Sequence, residues 1–295
     1  MQVYFDNAAT TIMDAQVIDE MAQTMRDIYG NPSAIHSNGR QAKAVVEIAR
    51  KSIASMLQCH SSEIIFTGSG TEADNMALRC AVNDLGVTHI ITSIIEHKAV
   101  LDTAKALEEK ELAKVSYVKL DIYGKADLQD LESLAEKHPG SLISLMHANN
   151  EIGSLNDVHA ISRIARANQC YFHSDTVQTI GHYPIDLSNW DVDFITCSAH
   201  KFHGPKGVGF MYKNKSLKIR PMVTGGGQES TMRAGTENVT GIIGLAKALE
   251  IANAGIEDKI KKVQAIKTYF IRQLEDKIKG TCFNGDISPE GGLYT

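Results

Sequence analysis

The sequence has little of what marks secreted, membrane or nucleic-acid-binding proteins. Its five cysteines are scattered and form no Cys-x-x-Cys pair, which favours a reducing compartment over a disulfide framework. No apolar run approaches the roughly 20 residues that a membrane-spanning helix needs. The formal net charge is −5, so no excess of basic charge indicates nucleic acid as a partner. The N-terminus has neither the basic nor the apolar region of a signal peptide.

The remaining composition is typical of an ordinary globular enzyme. Hydrophobic residues make up 43% of the 295 residues and charged residues 22%, which are common values for folded domains. A chain of this length can bury a large core without disulfides or a structural metal. We therefore expect a cytoplasmic enzyme that acts on a small molecule, with neither a membrane nor a nucleic acid as its partner.

Short apolar runs alternate with helix-length stretches along most of the chain. This alternation indicates βαβ units and a mostly parallel sheet, whose strands are buried on both faces. The runs predicted as strands are 63–66, 89–95, 115–120, 142–147, 171–173, 193–197 and 208–212. Helices are predicted after each of the first four strands and also over 13–28, 40–57, 241–252 and 255–278.

A domain boundary is expected near Gly255, where a glycine separates two predicted helices. Residues 15–254 would form a large cofactor-binding domain. Residues 255–295 would begin a small α/β domain, with residues 1–14 as an N-terminal arm that belongs to it. A domain of about forty residues would be marginal by itself, so we expect the small domain, and with it the chain, to be incomplete.

Polar clusters follow several predicted strands, where open α/β sheets bind their ligands. The cluster TGSGTE (67–72) runs from a strand into a helix. Glycines and the free N–H groups of a helix start favour a phosphate there. A tight turn with an N-cap threonine would have the same sequence. The cluster is not a P-loop, because no Gly-Lys-Ser/Thr follows it.

Three further clusters carry a histidine, a pair of amides and a carboxylate. His97 can transfer protons or stack on a flat ligand, or it is simply a satisfied polar residue. Asn149 and Asn150 can hold a planar ring or a carboxylate, or they form an Asx turn. Asp175 can hold a protonated ring nitrogen, or it caps a helix.

Lys201 follows a strand within the segment SAHKFHGPKG (198–207). A lysine removed from water has a lowered pKa and can form a Schiff base. Cys197, His200 and His203 have the spacing of zinc ligands, but a strand that enters a Gly-Pro turn does not present them together, so we predict no metal site. Together the clusters supply what pyridoxal 5'-phosphate requires: a phosphate cradle, a stacking histidine, a carboxylate and a lysine.

The motifs, in their order along the chain, resemble those of the cysteine desulfurases, which are class V, fold-type I pyridoxal phosphate enzymes. They are FDNAATT (5–11), GNPSAIH (30–36), TGSGTEADN (67–75), EHKAV (96–100), HANNEIG (147–153), HSDTVQ (173–178), SAHKFHGPKGVG (198–209) and RAGTEN (233–238). The match runs from residue 3 to about residue 255. It implies an α/β fold with a mostly parallel seven-stranded sheet flanked by helices.

The resemblance also implies roles for individual residues. Lys201 would bind the cofactor as a Schiff base and move the proton at the substrate Cα, while His97 would stack on the ring and transfer protons. Asp175 would pair with the ring nitrogen, and Gln178 would hydrogen-bond the ring hydroxyl. The residues expected to bind the phosphate are Gly70, Thr71, Ser198 and His200.

Two further expectations concern the substrate and the assembly. Asn150 would lie beside the cofactor and bind the substrate carboxylate. Thr236, in a loop that otherwise resembles a plain surface loop, would reach the phosphate of a partner subunit. A homodimer is therefore the expected assembly.

The implied reaction converts L-cysteine to L-alanine and leaves the sulfur on an enzyme cysteine as a persulfide. A sulfur-acceptor protein would then receive it for iron–sulfur cluster or thio-cofactor assembly. In the family the persulfide cysteine and a substrate-binding arginine lie in a part beyond Thr295, so we expect cofactor binding without complete sulfur transfer. The alternatives are a selenocysteine lyase or another class V aminotransferase, and a truncated scaffold homologue without catalysis.

Overall fold

Seven short strands form one sheet in the computed structural model, which describes residues 3–288 and 291–292. The strands are β1 (Ile64–Thr67), β2 (His89–Thr92), β3 (Lys114–Tyr117), β4 (Leu142–Ser144), β5 (Tyr171–Asp175), β6 (Phe194–Ser198) and β7 (Gly209–Lys213). Their order across the sheet is β1-β7-β6-β5-β4-β2-β3. Only β7 runs antiparallel to its neighbours. The predicted mostly parallel seven-stranded sheet is confirmed.

Helices cover both faces of this sheet. They are α1 (Ala15–Asp27), α2 (Ser37–Met56), α3 (Gly70–Asp84), α4 (Lys98–Glu109), α5 (Leu128–Lys137), α6 (Val158–Ala167), α7 (Val239–Asn253) and α8 (Ile256–Lys277). One apolar cluster joins the sheet to α1, α2, α5, α6 and α7, and a second joins it to α3 and α4. Strands β1, β6 and β7 are consequently buried along their whole length.

Three predicted strands end earlier than expected. The run 89–95 ends as a strand at Thr92, the run 115–120 at Tyr117, and the run 142–147 at Ser144. In the first, the Ser93 hydroxyl accepts a hydrogen bond from Ile95 N at 3.3 Å, a local contact that competes with the sheet ladder. His97 therefore lies beyond β2, at the start of α4, and Asn150 lies in a turn beyond β4, rather than directly at the strand ends.

The register of β5 on β6 brings two polar positions together at the carboxyl edge of the sheet. Asp175, the last residue of β5, pairs with Thr196 of β6. Because β5 and β6 are parallel, Asp175 and Ser198 end their strands at the same edge. This edge carries the candidate site described below.

The chain turns sharply where the domain boundary is predicted. Gly255 has a φ of +67°, a conformation that favours glycine, and α7 and α8 are bent by 70° across this break. None of the residues of α8 is buried. The division into domains stays a prediction, and residues 1, 2, 289, 290 and 293–295 of its terminal segments lie outside the described residues. No single described helix is long and apolar enough to cross a membrane, although α7 and α8 taken together across their bend would be.

Candidate functional site

A cavity of about 430 Å³ opens at the carboxyl edge of the sheet, where β5, β6 and the start of α3 meet. Except for Thr236, all the site residues predicted from the sequence line it: Gly70, Thr71, His97, Asn150, Asp175, Gln178, Ser198, His200 and Lys201. Their roles remain predictions, but the structure brings these nine residues to one place.

Thr236 lies elsewhere. It lines a smaller cavity of about 180 Å³ with Gly68 and Arg233. Arg233 Nε donates to Glu72 Oε1 at 2.8 Å, which ties the loop that carries Thr236 to the first turn of α3. The structure thus does not bring Thr236 into the main cavity, and its expected contact with a partner subunit stays a prediction.

The first turn of α3 forms one side of the main cavity. Its capping residue is Ser69, whose hydroxyl accepts from Glu72 N at 3.1 Å, while Glu72 Oε2 accepts from Gly68 N at 2.8 Å. The turn alternative with an N-cap threonine is therefore wrong, because Ser69 caps the helix and Thr71 is inside it. A Cβ on Gly70 would come within 2.6 Å of Val177 Cγ2. A larger residue there would displace the Val177 side chain. The first N–H groups of the helix, which have no intrahelical partner, suit an anion.

Lys201 lies at the end of a short 3₁₀ turn, Ala199–Lys201, directly after β6. Its Nζ donates to the carbonyl oxygens of Ala8 and, at 3.1 Å, Ala9. Burial lowers the pKa of Lys201, although the carboxylates of Asp175 and Asp6 oppose this shift. A lowered pKa increases the share of neutral amine, which is the nucleophilic form.

Asp175 presents one carboxylate oxygen to the protein and leaves the other free. Its Oδ1 accepts from Val177 N at 2.9 Å and lies 3.4 Å from Thr196 Oγ1. Among the described residues, none donates to Oδ2. Burial, followed by the nearby charge of Asp74, raises the pKa of Asp175 to about 7. A cation that reaches Oδ2 would stabilise the ionised carboxylate and so offset the cost of burying its charge.

His97 is held by the start of α4, which it caps. Its Nδ1 accepts from Ala99 N at 3.1 Å, so in the neutral ring the proton lies on Nε2. A ring nitrogen of His97 and carboxylate oxygens of Asp74 and Asp175 lie within 4.8 Å of one another. His97 can therefore cap α4 through Nδ1 and still have its other ring nitrogen available for proton transfer.

The N-terminal segment forms a wall of the cavity that the sequence did not predict. Gln178 Nε2 donates to Ala8 O at 3.1 Å, and His200 Nδ1 lies 3.1 Å from Thr10 Oγ1. Asn150, on another side, donates to Glu151 Oε1 at 2.7 Å. The motif FDNAATT (5–11) was the available signal, but its backbone carbonyls, rather than its side chains, contact Lys201 and Gln178.

The suggested zinc ligands do not share a site among the described residues. Cys197 is fully buried in β6, while His200 contacts Thr10 in the main cavity. His203 Nδ1 lies 2.9 Å from the carbonyl oxygen of Ile12. Each of the three side chains therefore has different surroundings.

Sequence reasoning also missed a group of buried acids behind Asp175. Asp74, on α3, accepts from Thr196 Oγ1 at 2.8 Å, and burial raises the pKa of Asp74 to about 7. Glu96, which follows β2, accepts from Met146 N at 2.9 Å, and burial raises its pKa well above the usual range. The spacing of Asp74, four residues after Gly70, could have revealed it, since such residues share a helix face.

The cavity has the donor set that pyridoxal phosphate needs. The free Oδ2 of Asp175 suits a protonated ring nitrogen, and the Lys201 amine with its lowered pKa suits the aldehyde carbon. The start of α3, with no room for a side chain at Gly70, suits the phosphate. These three features are the chemistry of the cofactor, and they occur in one cavity.

Comparisons with known proteins agree with this fit. The aminotransferase class-V family matches residues 3–290. A cysteine desulfurase IscS of Dictyoglomus turgidum is 43% identical over 289 residues, which are 97% of this chain and 73% of that protein. A cysteine desulfurase IscS of Methanosarcina thermophila is 44% identical over 286 residues, which are 96% of this chain and 70% of that protein.

Solved structures show the same relationship. A NifS-like protein has a TM-score of 0.94 and 41% identity, covering 100% of this chain and 80% of its own. A structure of SspA in complex with cysteine has a TM-score of 0.80 and 34% identity, covering 84% of this chain and 72% of its own. The chain belongs to the class-V aminotransferase family of pyridoxal phosphate enzymes, among the cysteine desulfurases.

Proposed function

We propose that the protein is a pyridoxal phosphate-dependent cysteine desulfurase that converts L-cysteine to L-alanine. The observation that carries this proposal is the single cavity that Lys201, Asp175 and the start of α3 share. Support for the substrate comes from the relatives named cysteine desulfurase and from the related SspA structure in complex with cysteine. Neither a selenocysteine lyase nor a non-catalytic scaffold is favoured by these relatives.

The cofactor would be held by residues at the start of α3 and at or just beyond the carboxyl ends of β5 and β6. The N–H groups at the start of α3, near Gly70 and Thr71, would bind its phosphate together with Ser198 and His200. Asp175 would keep the ring nitrogen protonated, and Gln178 would hydrogen-bond the ring hydroxyl. Bound in this way, pyridoxal phosphate supplies an electron sink for the substrate Cα.

The protein would carry the proton transfers itself. The neutral amine of Lys201, favoured by burial, would take a proton from the substrate Cα and return it. His97, whose Nδ1 is occupied by Ala99 N, would donate or accept protons through its other ring nitrogen. Asn150 would bind the substrate carboxylate through its amide.

Sulfur transfer needs a thiolate from a cysteine of the enzyme. That thiolate attacks the substrate sulfur, an S–S bond forms, the Cβ–S bond breaks, and Cβ takes up the proton that the thiol released. None of the described cysteines lines the main cavity. Burial raises the pKa of Cys59 and of Cys80 to about 12, which makes both poor nucleophiles. We therefore assign the persulfide to none of the five cysteines.

The proposal includes a homodimer, in which Thr236 contacts the phosphate of the partner's cofactor, and a sulfur-acceptor protein. The exposed position of Thr236 outside the main cavity supports such a contact. Sulfur would serve iron–sulfur cluster or thio-cofactor assembly. All five cysteines are free thiols, which supports a location in the reducing cytoplasm.

Release of alanine from L-cysteine, measured by mass spectrometry in the presence of a thiol reductant, tests the proposed reaction. We expect alanine from the wild-type protein and none from Lys201→Ala. Lys215→Ala is the control, because Lys215 is an exposed lysine that does not line the cavity, and it should keep wild-type activity. Equal alanine release by Lys201→Ala and the wild type would contradict the proposal.

A further inference from the structure

Two turns carry the cavity residues His97 and Asn150, and one buried side chain joins these turns. The first turn follows β2 and leads into α4, and the second follows β4. Asn149 lies in the second turn, is 3% exposed and does not line the main cavity. The proposed function gives Asn149 no role, although its side-chain oxygen accepts two hydrogen bonds and its side-chain nitrogen donates two.

The amide oxygen of Asn149 closes the second turn. Oδ1 accepts from Glu151 N at 2.8 Å and from Ile152 N at 2.9 Å, so Asn149 forms the Asx turn that is one alternative for this motif. The backbone adds a bond from Gly153 N to Asn149 O at 3.1 Å. Asn150 lies inside this closed turn, and the contacts of Asn149 therefore determine where the Asn150 side chain enters the cavity.

The amide nitrogen of Asn149 reaches the first turn. Nδ2 donates to Ile95 O at 2.7 Å, in the turn that ends at His97. These partners fix which amide atom is oxygen and which is nitrogen, because a backbone N–H only donates and a carbonyl only accepts. A second bond joins the same turns in the opposite direction, since Glu96 Oε1 accepts from Met146 N at 2.9 Å. Each turn thus contributes one side chain that binds the backbone of the other segment.

We propose that Asn149 is a positioning residue, which fixes the Asn150 amide relative to the His97 ring and thereby sets the affinity for the carboxylate of an α-amino acid. Asn150 Nδ2 donates to Glu151 Oε1 at 2.7 Å, and Glu151 N donates to Asn149. An amide nitrogen has two N–H groups, so one stays available for the carboxylate. The inference rests on the proposed function, because it takes Asn150 as the residue that binds this carboxylate.

The test measures binding of L-alanine, the proposed product, to the protein loaded with pyridoxal phosphate. A change in cofactor absorbance gives the dissociation constant, and NMR in D₂O gives the rate of Cα proton exchange at saturating alanine. We expect Asn149→Ala to raise the dissociation constant about tenfold, since a hydrogen bond to a charged group contributes about this much. The saturated exchange rate should stay within about twofold, because Lys201, the proposed base, is held by Ala8 and Ala9 rather than by Asn149.

Asn156→Ala is the matched control, because Asn156 lies in the same loop and its side chain also joins two segments. Its Oδ1 accepts from Ala126 N at 3.0 Å and its Nδ2 donates to Met146 O at 2.8 Å, but it does not line the cavity. Both Asn156→Ala and Asn149→Ala should lower the urea concentration at the midpoint of unfolding. Only Asn149→Ala should weaken alanine binding, and equal weakening by both variants would refute a specific role for Asn149.

A double variant tests whether Asn149 acts through Asn150. Asn150→Ala should weaken alanine binding at least as much as Asn149→Ala does. The variant with both substitutions should bind alanine no more weakly than Asn150→Ala alone, because the amide that Asn149 positions is already absent. Independent addition of the two effects would overturn the proposal.

The single variants separate failure of this inference from failure of the proposed function. If Asn150→Ala weakens alanine binding while Asn149→Ala behaves as the wild type, the inference alone is refuted. If Asn150→Ala binds alanine as the wild type does, or the wild type binds none, the proposed function fails at this point and the inference fails with it. Should Asn149→Ala not fold, Asn149→Ser takes its place, because a serine hydroxyl still accepts from a turn N–H but is too short to reach Ile95 O as well.

Discussion

Replacing Arg50 should destabilise the fold far more than removing an ordinary surface charge. Arg50 Nη1 and Nη2 donate to Glu229 Oε2 and Oε1 at 2.7 and 2.8 Å. The side chains of the pair are only 9% and 3% exposed. Glu229 Oε2 also accepts from Phe66 N at 2.8 Å, and the Arg50 guanidinium lies 4.6 Å from the centre of the Phe66 ring.

The expected loss in the free energy of unfolding follows from the charges that each variant leaves buried. Arg50→Met leaves the Glu229 carboxylate without its cation, a loss that costs about 3–5 kcal/mol in buried pairs. Loss of Arg50 should also destabilise the loop that carries Glu229. In this loop residues 229–231 all have positive φ values, +48°, +53° and +69°. Such conformations cost roughly 1–3 kcal/mol each and persist only where contacts hold them. The double variant Arg50→Met with Glu229→Gln buries no charge and should be more stable than Arg50→Met alone.

Urea denaturation of the cofactor-free protein, followed by circular dichroism, measures these differences. A double-mutant cycle over Arg50 and Glu229 should give a coupling energy of about 2 kcal/mol or more. Lys105→Met is a suitable control, since Lys105 forms an exposed ion pair with Glu109 and exposed pairs contribute about 0–1 kcal/mol. A loss below about 1 kcal/mol for Arg50→Met, or strict additivity in the cycle, would refute the reasoning.

Two further predictions concern the cavity. Gly70→Ala should fold but bind pyridoxal phosphate more weakly, because the new Cβ would meet Val177 Cγ2 at 2.6 Å. A titration followed by the absorbance of the cofactor measures this affinity, and an unchanged affinity would contradict the prediction. Asp74→Asn should stabilise the cofactor-free protein increasingly as the pH rises from about 4 to about 7, by up to about 4 kcal/mol. The sign follows because burial raises the folded-state pKa of Asp74 to about 7, so folded wild type loses stability over that range. A stability difference that is independent of pH would contradict the second prediction.

The sheet was predictable because its strands are buried on both faces and therefore appear as apolar runs in the sequence. All seven runs became strands, and errors were confined to their ends, as at Thr92, where the Ser93 side chain takes up a backbone N–H. The edge strand β3, half exposed along its length, was located through its spacing from the neighbouring helices.

The residues that share the main cavity were predictable where one short segment carries several of them, as around Gly70 and Lys201. The site was not predictable where the contacts join distant segments. Ala8 O binds the Lys201 amine across 193 residues, and Arg50 meets Glu229 across 179. The contact of Asp74 with the Thr196 hydroxyl was missed for the same reason, since it joins α3 to β6 across 122 residues.

The most direct test of the central claim is the identity of the residue that bonds the cofactor. The protein is incubated with pyridoxal phosphate, reduced with borohydride, digested, and mapped by mass spectrometry, with Lys215→Ala as the control. The structure predicts a pyridoxyl group on Lys201 and its loss in Lys201→Ala. A pyridoxyl group on another lysine, with Lys201 unmodified, would contradict the account.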